Sequence, residues 1–409
     1  MIDILTLAIP FYFALIAIEL AYQYFSKVQL YRLGDFLNNI SNGTMDQIFS
    51  VFTKLSIIAI YHFVFTNFRF FTLENTLVHF FLLLFLADFA YYWYHRLSHE
   101  MAILWMTHSV HHQSEDYNIS VALRQSVIDG TLYFFYIPLA LLGFPTELLV
   151  LVAGVAAIYG VWVHTELIRG MGFLDYWFNT PSNHRVHHGR NPIYIDKNYG
   201  GILMIWDHVF NTYQPETEEV VYGITKPLQT FNPVAVQLSY PIALLQKFLQ
   251  TKGFWNKLKT IYKKPGWEPG KETEFFPNVS RNSVQKYDVG YSDNIKYYVI
   301  LQFAIATGFI SYFLNVQHLY PNTIKLPAMF FSVWALANMS LVLMKQTAIL
   351  KWEALRILLT GSFLLFINSE NSIIHVAIST LTVLNLGFLI FLYLSDAKKQ
   401  TTVQEAIPQ

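Results

Sequence analysis

The stretch HRLSHEMAILWMTHSVHH, residues 95–112, carries five histidines at two spacings that suit metal binding. The first is H-x3-H, at His95 and His99, and the second is H-x2-H-H, which recurs as HRVHH at residues 184–188. Residues three or four apart lie on the same face of a helix, so each group directs two or three imidazoles to one side. With the isolated His164, nine of the fourteen histidines fall between positions 95 and 188.

Nine converging imidazoles exceed what one metal ion can bind. A zinc site uses three or four protein ligands, and imidazole suits iron, copper, nickel and zinc. The sequence therefore predicts two metal ions. The predicted ligands are His95, His99, His108, His111, His112, His164, His184, His187 and His188. The other five histidines stand alone, and we expect them to be hydrogen-bonded structural residues. They are His62, His79, His208, His318 and His375.

The composition indicates a membrane protein. Hydrophobic residues make up 54% of the 409-residue chain and charged residues only 13%, and the mean hydropathy is +0.35. A soluble chain of this length is less apolar. The 27 basic and 27 acidic residues cancel, so no overall field recruits nucleic acid. Because the chain has no cysteine, thiolate ligands, cysteine-ligated iron–sulfur clusters and cysteine nucleophiles are excluded.

Apolar runs of about bilayer length predict an all-α, polytopic membrane protein with about nine transmembrane helices. The run at 127–165 is long enough for two helices, and Gly143 and Pro145 break it, which predicts a hairpin with a tight turn. The runs cover residues 4–25, 48–68, 73–94, 127–165, 297–315, 326–344, 354–368 and 372–394.

The same pattern predicts four segments. Residues 1–72 form N-terminal transmembrane helices, 73–215 a catalytic domain with the histidine groups, 216–295 an extramembrane segment, and 296–409 the C-terminal transmembrane helices and tail. Within the extramembrane segment, residues 234–262 mix apolar residues with lysines, as an amphipathic helix on lipid headgroups does. An ordinary surface helix is the alternative there.

The positions of lysine and arginine predict that the histidine-rich loops face the cytoplasm. In that orientation the outer loops hold only Arg69 and Lys325, Lys54 lies within a span, and the other 24 of the 27 basic residues are inside, as the positive-inside rule favours. The N-terminus is then outside and the tail inside, which requires an odd number of spans. We expect an integral membrane protein of the plasma or inner membrane in a bacterium, or of the endoplasmic reticulum in a eukaryote.

An all-imidazole site at a membrane surface suits the activation of dioxygen against an unactivated C–H bond of a lipid from the bilayer. The zinc-protease motif H-E-x-x-H is excluded, because His99 and Glu100 are followed by Met101, Ala102 and Ile103. Oxygen activation needs electrons. They must come from a small diffusible reductant or from a separate protein.

The order H-x3-H, H-x2-H-H, H-x2-H-H on a multi-span scaffold resembles the fatty acid hydroxylase and sterol desaturase superfamily of membrane di-iron enzymes. Longer runs, within about residues 75 to 280, are similar to its alkylglycerol monooxygenase branch, while the last four spans match only in general layout. The runs are HSVHHQSEDYNISVALRQS, HTELI, NTPSNHRVHHGRNPIYIDKNYGGILMIWDHVFNTY and VVYGITKP. Asn183 occupies a position where this branch frequently has a histidine. This difference leaves the H-x2-H-H motif intact but affects the surroundings of the ligands.

This resemblance implies two iron ions and a reaction in which dioxygen hydroxylates the carbon next to a glyceryl ether oxygen. The resulting hemiacetal collapses to a fatty aldehyde and a glycerol derivative. The resemblance also implies tetrahydrobiopterin as the reductant. The residues themselves carry no recognisable pterin motif.

Acidic side chains near the histidines are candidates to orient ligands, because a metal-bound imidazole commonly donates its free N–H to a carboxylate. Glu100 directly follows a predicted ligand and is shared with the branch, so it is the candidate catalytic residue. For the other acids a solvated or helix-capping role is an equal alternative. They are Glu115, Asp116, Glu166, Asp196 and Asp207. Arg124, Gln125 and Asn198 are candidates for headgroup contacts, although we favour structural roles for them.

Three functions compete at this stage. The first is an ether-lipid monooxygenase, and the second is a hydroxylase or desaturase of the same superfamily that acts on a sterol, fatty acyl or carotenoid substrate. The third is a non-enzymatic membrane carrier of metal or haem. A carrier is expected to place histidines along a path through the bilayer, whereas here they are predicted to lie at one face.

Overall fold

The structure, a computed structural model, describes residues 4–405 except 129, 272–275, 345–348 and 369–371. In this part of the chain all regular secondary structure is helical, and two isolated β-bridges, Phe178 to Leu203 and Gly189 to Tyr222, are the only strand-like pairings. The chain divides into two compact units. The first comprises Met1–Thr230 and Ala235–Tyr287, and the second comprises Phe231–Val234 and Asp288–Gln409.

The helices follow the predicted apolar runs, with additional short helices around the histidines. In the first unit they are α1 (Ile4–Ser26), α2 (Leu33–Phe68), α3 (Leu77–Glu100), α4 (Ala102–His112), α5 (Leu132–Leu141), α6 (Thr146–Trp162), α7 (Leu174–Trp177), α8 (Pro181–His187), α9 (Ile205–Val209), α10 (Pro233–Gln250) and α11 (Phe254–Tyr262). A 3-10 helix covers Ile119–Leu123. In the second unit they are α12 (Asp293–Val316), α13 (Asn322–Leu343), α14 (Ile349–Ile367) and α15 (Ser372–Glu405).

Helices α3 and α4 are separated by a single residue. The Thr76 side chain accepts a hydrogen bond from the backbone N–H of His79 and so caps the start of α3. The helix ends because Met101 has extended backbone angles, with φ −125° and ψ 124°. The chain therefore turns at Met101, and the histidines of residues 95–112 lie on two packed helices instead of one.

The predicted hairpin is confirmed as α5 and α6. Gly143 has a φ of +95°, a conformation that favours glycine, and a Cβ at this position would lie 2.0 Å from the carbonyl oxygen of Phe71. The backbone N–H groups of Phe70 and Leu73 donate to the carbonyls of Leu141 and Gly143. The hairpin tip thus lies against the loop between α2 and α3. The ten residues of α5 rise only about 15 Å, roughly half of a bilayer core.

The prediction of a multi-pass membrane protein is confirmed, whereas the predicted number of nine spans is not. In the described ranges, four helices are long and apolar enough to cross a bilayer: Leu77–Glu100, Asp293–Leu319, Asn322–Leu343 and Ser372–Ser395. A fifth candidate is the pair Leu33–Thr53 and Ser56–Phe68, which is bent by 46°. The predicted run at 354–368 belongs to α14, which begins earlier and carries Lys351, Glu353 and Arg356.

Those charges explain how α14 is held in the second unit. The carboxylate of Glu353 is fully buried and accepts hydrogen bonds from the Tyr298 hydroxyl at 2.8 Å and from Asn338 Nδ2 at 3.1 Å. Arg356 donates to it at 2.6 and 2.8 Å and also to Gln302 Oε1 at 3.0 Å. A buried charge is tolerated when it is paired and hydrogen-bonded. This network joins helices α12, α13 and α14.

Candidate metal centre

The structure brings all nine predicted histidines into two groups. Within each group, one ring nitrogen from every member lies within 4.8 Å of the others. The five-histidine group is His95, His99, His108, His112 and His187. The four-histidine group is His111, His164, His184 and His188. Helices α3, α4 and α8 and the segment after α6 therefore supply ligands to one composite centre.

Each H-x2-H-H motif contributes histidines to both groups, and the outer pairs of the two motifs belong to different groups. On α4 the outer pair, His108 and His112, joins the five-histidine group, while His111 joins the four-histidine group. At α8 the outer pair, His184 and His188, joins the four-histidine group, and His187 crosses to the other. Residues four apart share a helix face, and the intervening histidine points to the neighbouring face. Each motif thus serves both groups.

Backbone carbonyls fix the orientation of four imidazoles. The Nδ1 atoms of His95 and His187 donate to the carbonyls of Tyr199 and Lys197 at 2.8 and 3.1 Å. In the other group, His111 Nδ1 donates to Arg124 O at 3.1 Å and His164 Nδ1 to Gly160 O at 2.7 Å. A carbonyl only accepts, so the proton is on Nδ1 and the lone pair is on Nε2. These Nε2 atoms are available as ligands.

The Nε2 atoms face one another at distances that suit a shared cation. In the five-histidine group, His108 Nε2 lies 3.0 Å from the Nε2 atoms of both His95 and His112. In the four-histidine group, His164 Nε2 lies 3.2 Å from His111 Nε2 and 3.0 Å from His184 Nε2. Two nitrogens that coordinate one cation would lie at such distances. Nitrogens at about 2.1 Å from one ion are about 3.0 Å apart at right angles and about 3.4 Å apart in a tetrahedron.

Two further Nε2 atoms support the fit to metal. Those of His99 and His188 are buried and have no hydrogen-bond partner in the described part of the protein. An unsatisfied buried nitrogen costs roughly 1–3 kcal/mol, which a metal bond would offset. The donor set therefore fits two ions, one with five imidazoles and one with four.

Burial keeps the imidazoles in the neutral form that binds metal. Desolvation lowers the pKa of His111 to about 4. Desolvation, together with the neighbouring imidazoles, also holds the pKa of other ligands well below the usual range, namely His108, His112, His184, His187 and His188. The ligands are consequently unprotonated near neutral pH, as metal coordination requires.

The loop that carries the carbonyls for His95 and His187 is held by two buried acids. Asp207 accepts from the backbone N–H groups of Tyr199 and Gly200, each at 2.8 Å, and from the Thr212 hydroxyl at 2.7 Å. Asp88 accepts from Ile202 N at 2.7 Å and from the Trp206 indole at 2.9 Å. Burial raises the pKa of Asp207. Asp207 was a sequence candidate, whereas Asp88, within an apolar run of α3, gave no sequence signal.

The other predicted acids form ion pairs outside the two groups. Glu100 pairs with Arg96, one turn earlier on α3, at 3.2 Å. Asp116 pairs with Arg32 at 3.0 Å, and Asp196 pairs with Lys264 at 2.6 Å. Glu115 accepts from Tyr287 N at 2.7 Å, and Glu166 pairs with Arg281 and accepts from the Tyr222 hydroxyl. The sequence predicted that carboxylates orient the imidazoles, but backbone carbonyls orient four of them, and His184 Nδ1 lies 3.4 Å from the side-chain amide nitrogen of Asn179.

The polar candidates have structural contacts, as favoured from the sequence. Arg124 is buried and donates to Val110 O at 2.6 Å and to Asn39 Oδ1 at 2.9 Å. Gln125 Nε2 donates to Ala122 O at 3.0 Å. Asn198 donates to the carbonyls of Asn183 and Gln214, and the Asn183 side chain donates to Phe178 O and Asp175 O.

The solitary histidines do not join either group. Four of them have local partners: His62 with Thr146 Oγ1, His79 with Glu74 O, His208 with Tyr176 O and His375 with Leu365 O.

Aromatic rings that sequence reasoning missed cover both groups. Trp105 lies on the five-histidine group, with its ring centroid 4.9 Å from that of His99 and 5.6 Å from that of His112. Tyr117 covers the four-histidine group, 5.7 Å from His164, and is stacked on Tyr222 at 4.8 Å. Each ring covers one side of its group. Trp105 lies three residues before His108 and therefore on the same face of α4, so helix periodicity identifies it as a neighbour.

Fold and site together define a multi-pass helical membrane protein with two adjacent metal-competent histidine groups. The fatty acid hydroxylase family model matches residues 80–212, the range that contains all nine histidines. The human alkylglycerol monooxygenase is 41% identical over 314 residues, which is 75% of this chain and 70% of the human protein.

Two more relatives are similar to this chain over different lengths. The zebrafish (Danio rerio) alkylglycerol monooxygenase is 40% identical over 72% of this chain and 68% of its own length. The ornithine lipid hydroxylase OlsE of Rhizobium tropici is 35% identical over 34% of this chain and 44% of its own length. No solved structure matches the chain. The chain belongs to the alkylglycerol monooxygenase family, within the fatty acid hydroxylases, which confirms the predicted family and, at that level, the prediction of a monooxygenase.

Proposed function

We propose that this protein is a membrane di-iron monooxygenase that cleaves the ether bond of alkylglycerols. The observation that carries the proposal is the pair of adjacent histidine groups in a chain whose relatives are named alkylglycerol monooxygenases. One atom of dioxygen would be inserted at the carbon next to the ether oxygen, and the other would leave as water with two electrons and two protons from a reductant. The hemiacetal then separates into a fatty aldehyde and a glycerol derivative.

The ligand number favours iron over zinc in the five-histidine group. Five imidazoles exceed the four ligands of a closed tetrahedral zinc site. The Nε2 separations of 3.0 to 3.2 Å would allow the imidazoles of each group to hold one ion. Bound iron would supply the activation of dioxygen. The protein supplies neutral imidazoles in fixed orientation and rings that cover one side of each group.

The ether substrate suits this site for a chemical reason. The ether oxygen weakens the adjacent C–H bond and stabilises the radical formed there, so attack at that carbon is favoured. A glyceryl ether linkage also lies at headgroup depth, and a site near that depth is supported by the position of His95 and His99 in the last turns of the candidate span Leu77–Glu100. We propose that the lipid enters laterally from the bilayer.

The reductant is proposed to be tetrahydrobiopterin, on the family likeness alone, and a separate electron-donor protein is the alternative. Glu100 is the proposed catalytic residue. Its carboxylate lies at the end of α3, one residue after His99, and is partly exposed in its pair with Arg96. That position allows contact with a ligand that approaches the five-histidine group. Glu100→Gln should raise the KM for reduced pterin by a larger factor than the factor by which it lowers the iron content.

We propose that the site faces the cytoplasm, that the chain has nine spans, and that it divides into the segments 1–72, 73–215, 216–295 and 296–409, of which 216–295 lies outside the membrane. The support is the distribution of lysine and arginine, with 24 of 27 inside in that orientation. Reporter fusions after Asp116 and Glu218 should both indicate the cytoplasm, and one at Pro321 the opposite side. A fusion after Glu218 that reports the outer side would contradict this topology.

Turnover of a lipid panel tests the function. Purified iron-loaded protein, given dioxygen and reduced pterin, should release fatty aldehyde from a 1-O-alkylglycerol. The second candidate, a sterol, acyl or carotenoid hydroxylase of the same superfamily, predicts product from those lipids and no aldehyde from the ether. Iron that binds tightly while every lipid remains unchanged would favour a metal carrier.

A further inference from the structure

Helix α10 carries a stripe of exposed apolar residues on one face. Leu238, Ile242, Leu245 and Leu249 follow the spacing i, i+4, i+7, i+11, and their exposed fractions are 49%, 49%, 57% and 62%. This spacing is one face of a helix. On a helix that faced water, this would be the polar side.

The opposite face of α10 already attaches the helix to the protein. Val236 and Leu244 are buried there. Gln237 donates to the Asn42 side chain and to the Gln125 carbonyl, both at 2.9 Å. The helix is therefore docked without its exposed stripe. The stripe is an apolar surface that the first unit does not cover, and such a patch indicates a membrane or protein partner.

Charge identifies the partner. Residues 233–264, which we call the basic hairpin, comprise α10, α11 and the segments next to α11, and they contain six lysines and no acidic residue. Phe254 and Trp255, at the start of α11, are 68% and 72% exposed. Exposed aromatic residues beside lysines are typical of helices at a membrane interface, where lysine binds anionic headgroups and aromatic and aliphatic side chains enter the acyl boundary.

The basic hairpin is joined directly to the five-histidine group. Ala102 N, at the start of α4, donates to Lys263 O at 2.8 Å. The Trp105 ring lies near Tyr240 on α10, with centroids 6.5 Å apart, and it also lies 4.9 Å from the ring of His99. One indole therefore separates α10 from a predicted iron ligand.

We infer that the basic hairpin lies in the interface of an anionic bilayer leaflet, with the α10 stripe among the acyl chains. Resting on the proposed function, this assigns the lipid entrance to the contact between α10 and α4, with Trp105 between bilayer and metal. Lysines near an anionic surface strengthen the attachment. The attachment is expected to depend on anionic lipid.

The absence of cysteine in the sequence makes a direct test possible. Leu245→Cys and Gln246→Cys are adjacent, exposed positions, one on the stripe and one on the polar flank. Each full-length variant is labelled with an environment-sensitive fluorophore in nanodiscs of phosphatidylcholine and phosphatidylglycerol that contain acyl-chain nitroxide lipid. Nitroxide should quench the label at position 245 several-fold more than the label at 246.

A second variant tests the role of charge. Lys252→Gln combined with Lys257→Gln and Lys259→Gln should reduce the quenching at position 245, and discs of phosphatidylcholine alone should reduce it in the unmodified hairpin. Equal quenching at 245 and 246 would overturn the proposal, as would a label at 245 that is shielded and crosslinks to a second copy. The measurement needs neither iron nor turnover, so it is independent of the proposed reaction.

Discussion

The imidazoles of His112 and His188 are stacked, with ring centroids 4.3 Å apart and an interplanar angle of 24°. His112 belongs to the five-histidine group and His188 to the four-histidine group. The two groups are therefore in direct contact through these two rings. Ligands of one ion would support the orientation of ligands for the other. This arrangement fits a reaction that uses two ions together.

Substitution of a single ligand should affect one histidine group and not the other. His187→Ala removes a ligand from the five-histidine group and His184→Ala one from the four-histidine group, although the residues are three apart on the same short helix. Each variant should hold the ion of its own group more weakly and lose turnover, and the loss of iron should be larger in His184→Ala, which keeps three imidazoles in its group, than in His187→Ala, which keeps four. Iron analysis of purified protein measures this. His79→Ala, whose ring bonds to Glu74 O, is the control and should keep full iron. A larger loss of iron in His187→Ala than in His184→Ala would contradict the grouping.

Loss of the Asp207 carboxylate should weaken metal binding without removal of a ligand. Asp207→Ala frees the N–H groups of Tyr199 and Gly200, so the carbonyl that orients His95 loses its support. Changes of this kind cost about 10- to 100-fold in metal affinity. Competition with an iron chelator measures the loss, and Asp207→Asn should restore part of it. Asp196→Asn removes the charge that pairs with the exposed Lys264, keeps a residue type that tolerates the φ of +58° at this position, and should leave the affinity unchanged. Equal losses in Asp196→Asn and Asp207→Ala would contradict the role of the loop.

Two buried tyrosines should respond oppositely to the loss of a hydroxyl. Tyr199 is fully buried and its O–H has no partner in the described residues. Tyr92 is equally buried, but its hydroxyl contacts Thr212 Oγ1 at 3.0 Å and accepts from Arg96 at 3.2 Å. Tyr92→Phe should therefore lower stability by about 1–3 kcal/mol, and Tyr199→Phe should preserve or raise it. Thermal unfolding of the metal-free protein in detergent distinguishes them. A lower Tm for Tyr199→Phe than for Tyr92→Phe would contradict this account.

The Glu353 network should make the second unit sensitive to the loss of one charge. Arg356→Met leaves the fully buried carboxylate without its cation, which costs about 3–5 kcal/mol. Adding Glu353→Gln removes the charge while an amide oxygen still accepts from Tyr298, so the double variant should recover most of the stability. Unfolding of purified variants in detergent gives both values. A double variant no more stable than Arg356→Met would show that the charge is not the cause.

Much of the site was predictable from local spacing. The H-x3-H and H-x2-H-H motifs placed His95, His99, His108 and His112 on common helix faces, because helix periodicity is a local property of the chain. The apolar runs likewise predicted the hairpin turn at Gly143, since a break in a hydrophobic run is visible without tertiary contacts. Likeness of the longer motifs predicted the family.

Spacing did not decide how the histidines are shared or what orients them. His187 lies three residues from His184 but in the other group, because its ring meets His112 from α4 at an Nε2 separation of 3.1 Å. Which carbonyl accepts from His95 depends on Tyr199, 104 residues away.

The sequence alone determined that this is a helical membrane protein with a histidine-rich metal centre, because residue composition and helical periodicity are properties of short segments. Only the tertiary structure decided the division into five and four ligands, the use of backbone carbonyls in place of Glu100 and Asp196, and the outward apolar face of α10. These features arise from contacts between segments far apart in the chain, and no local pattern encodes which distant group will fill a given position.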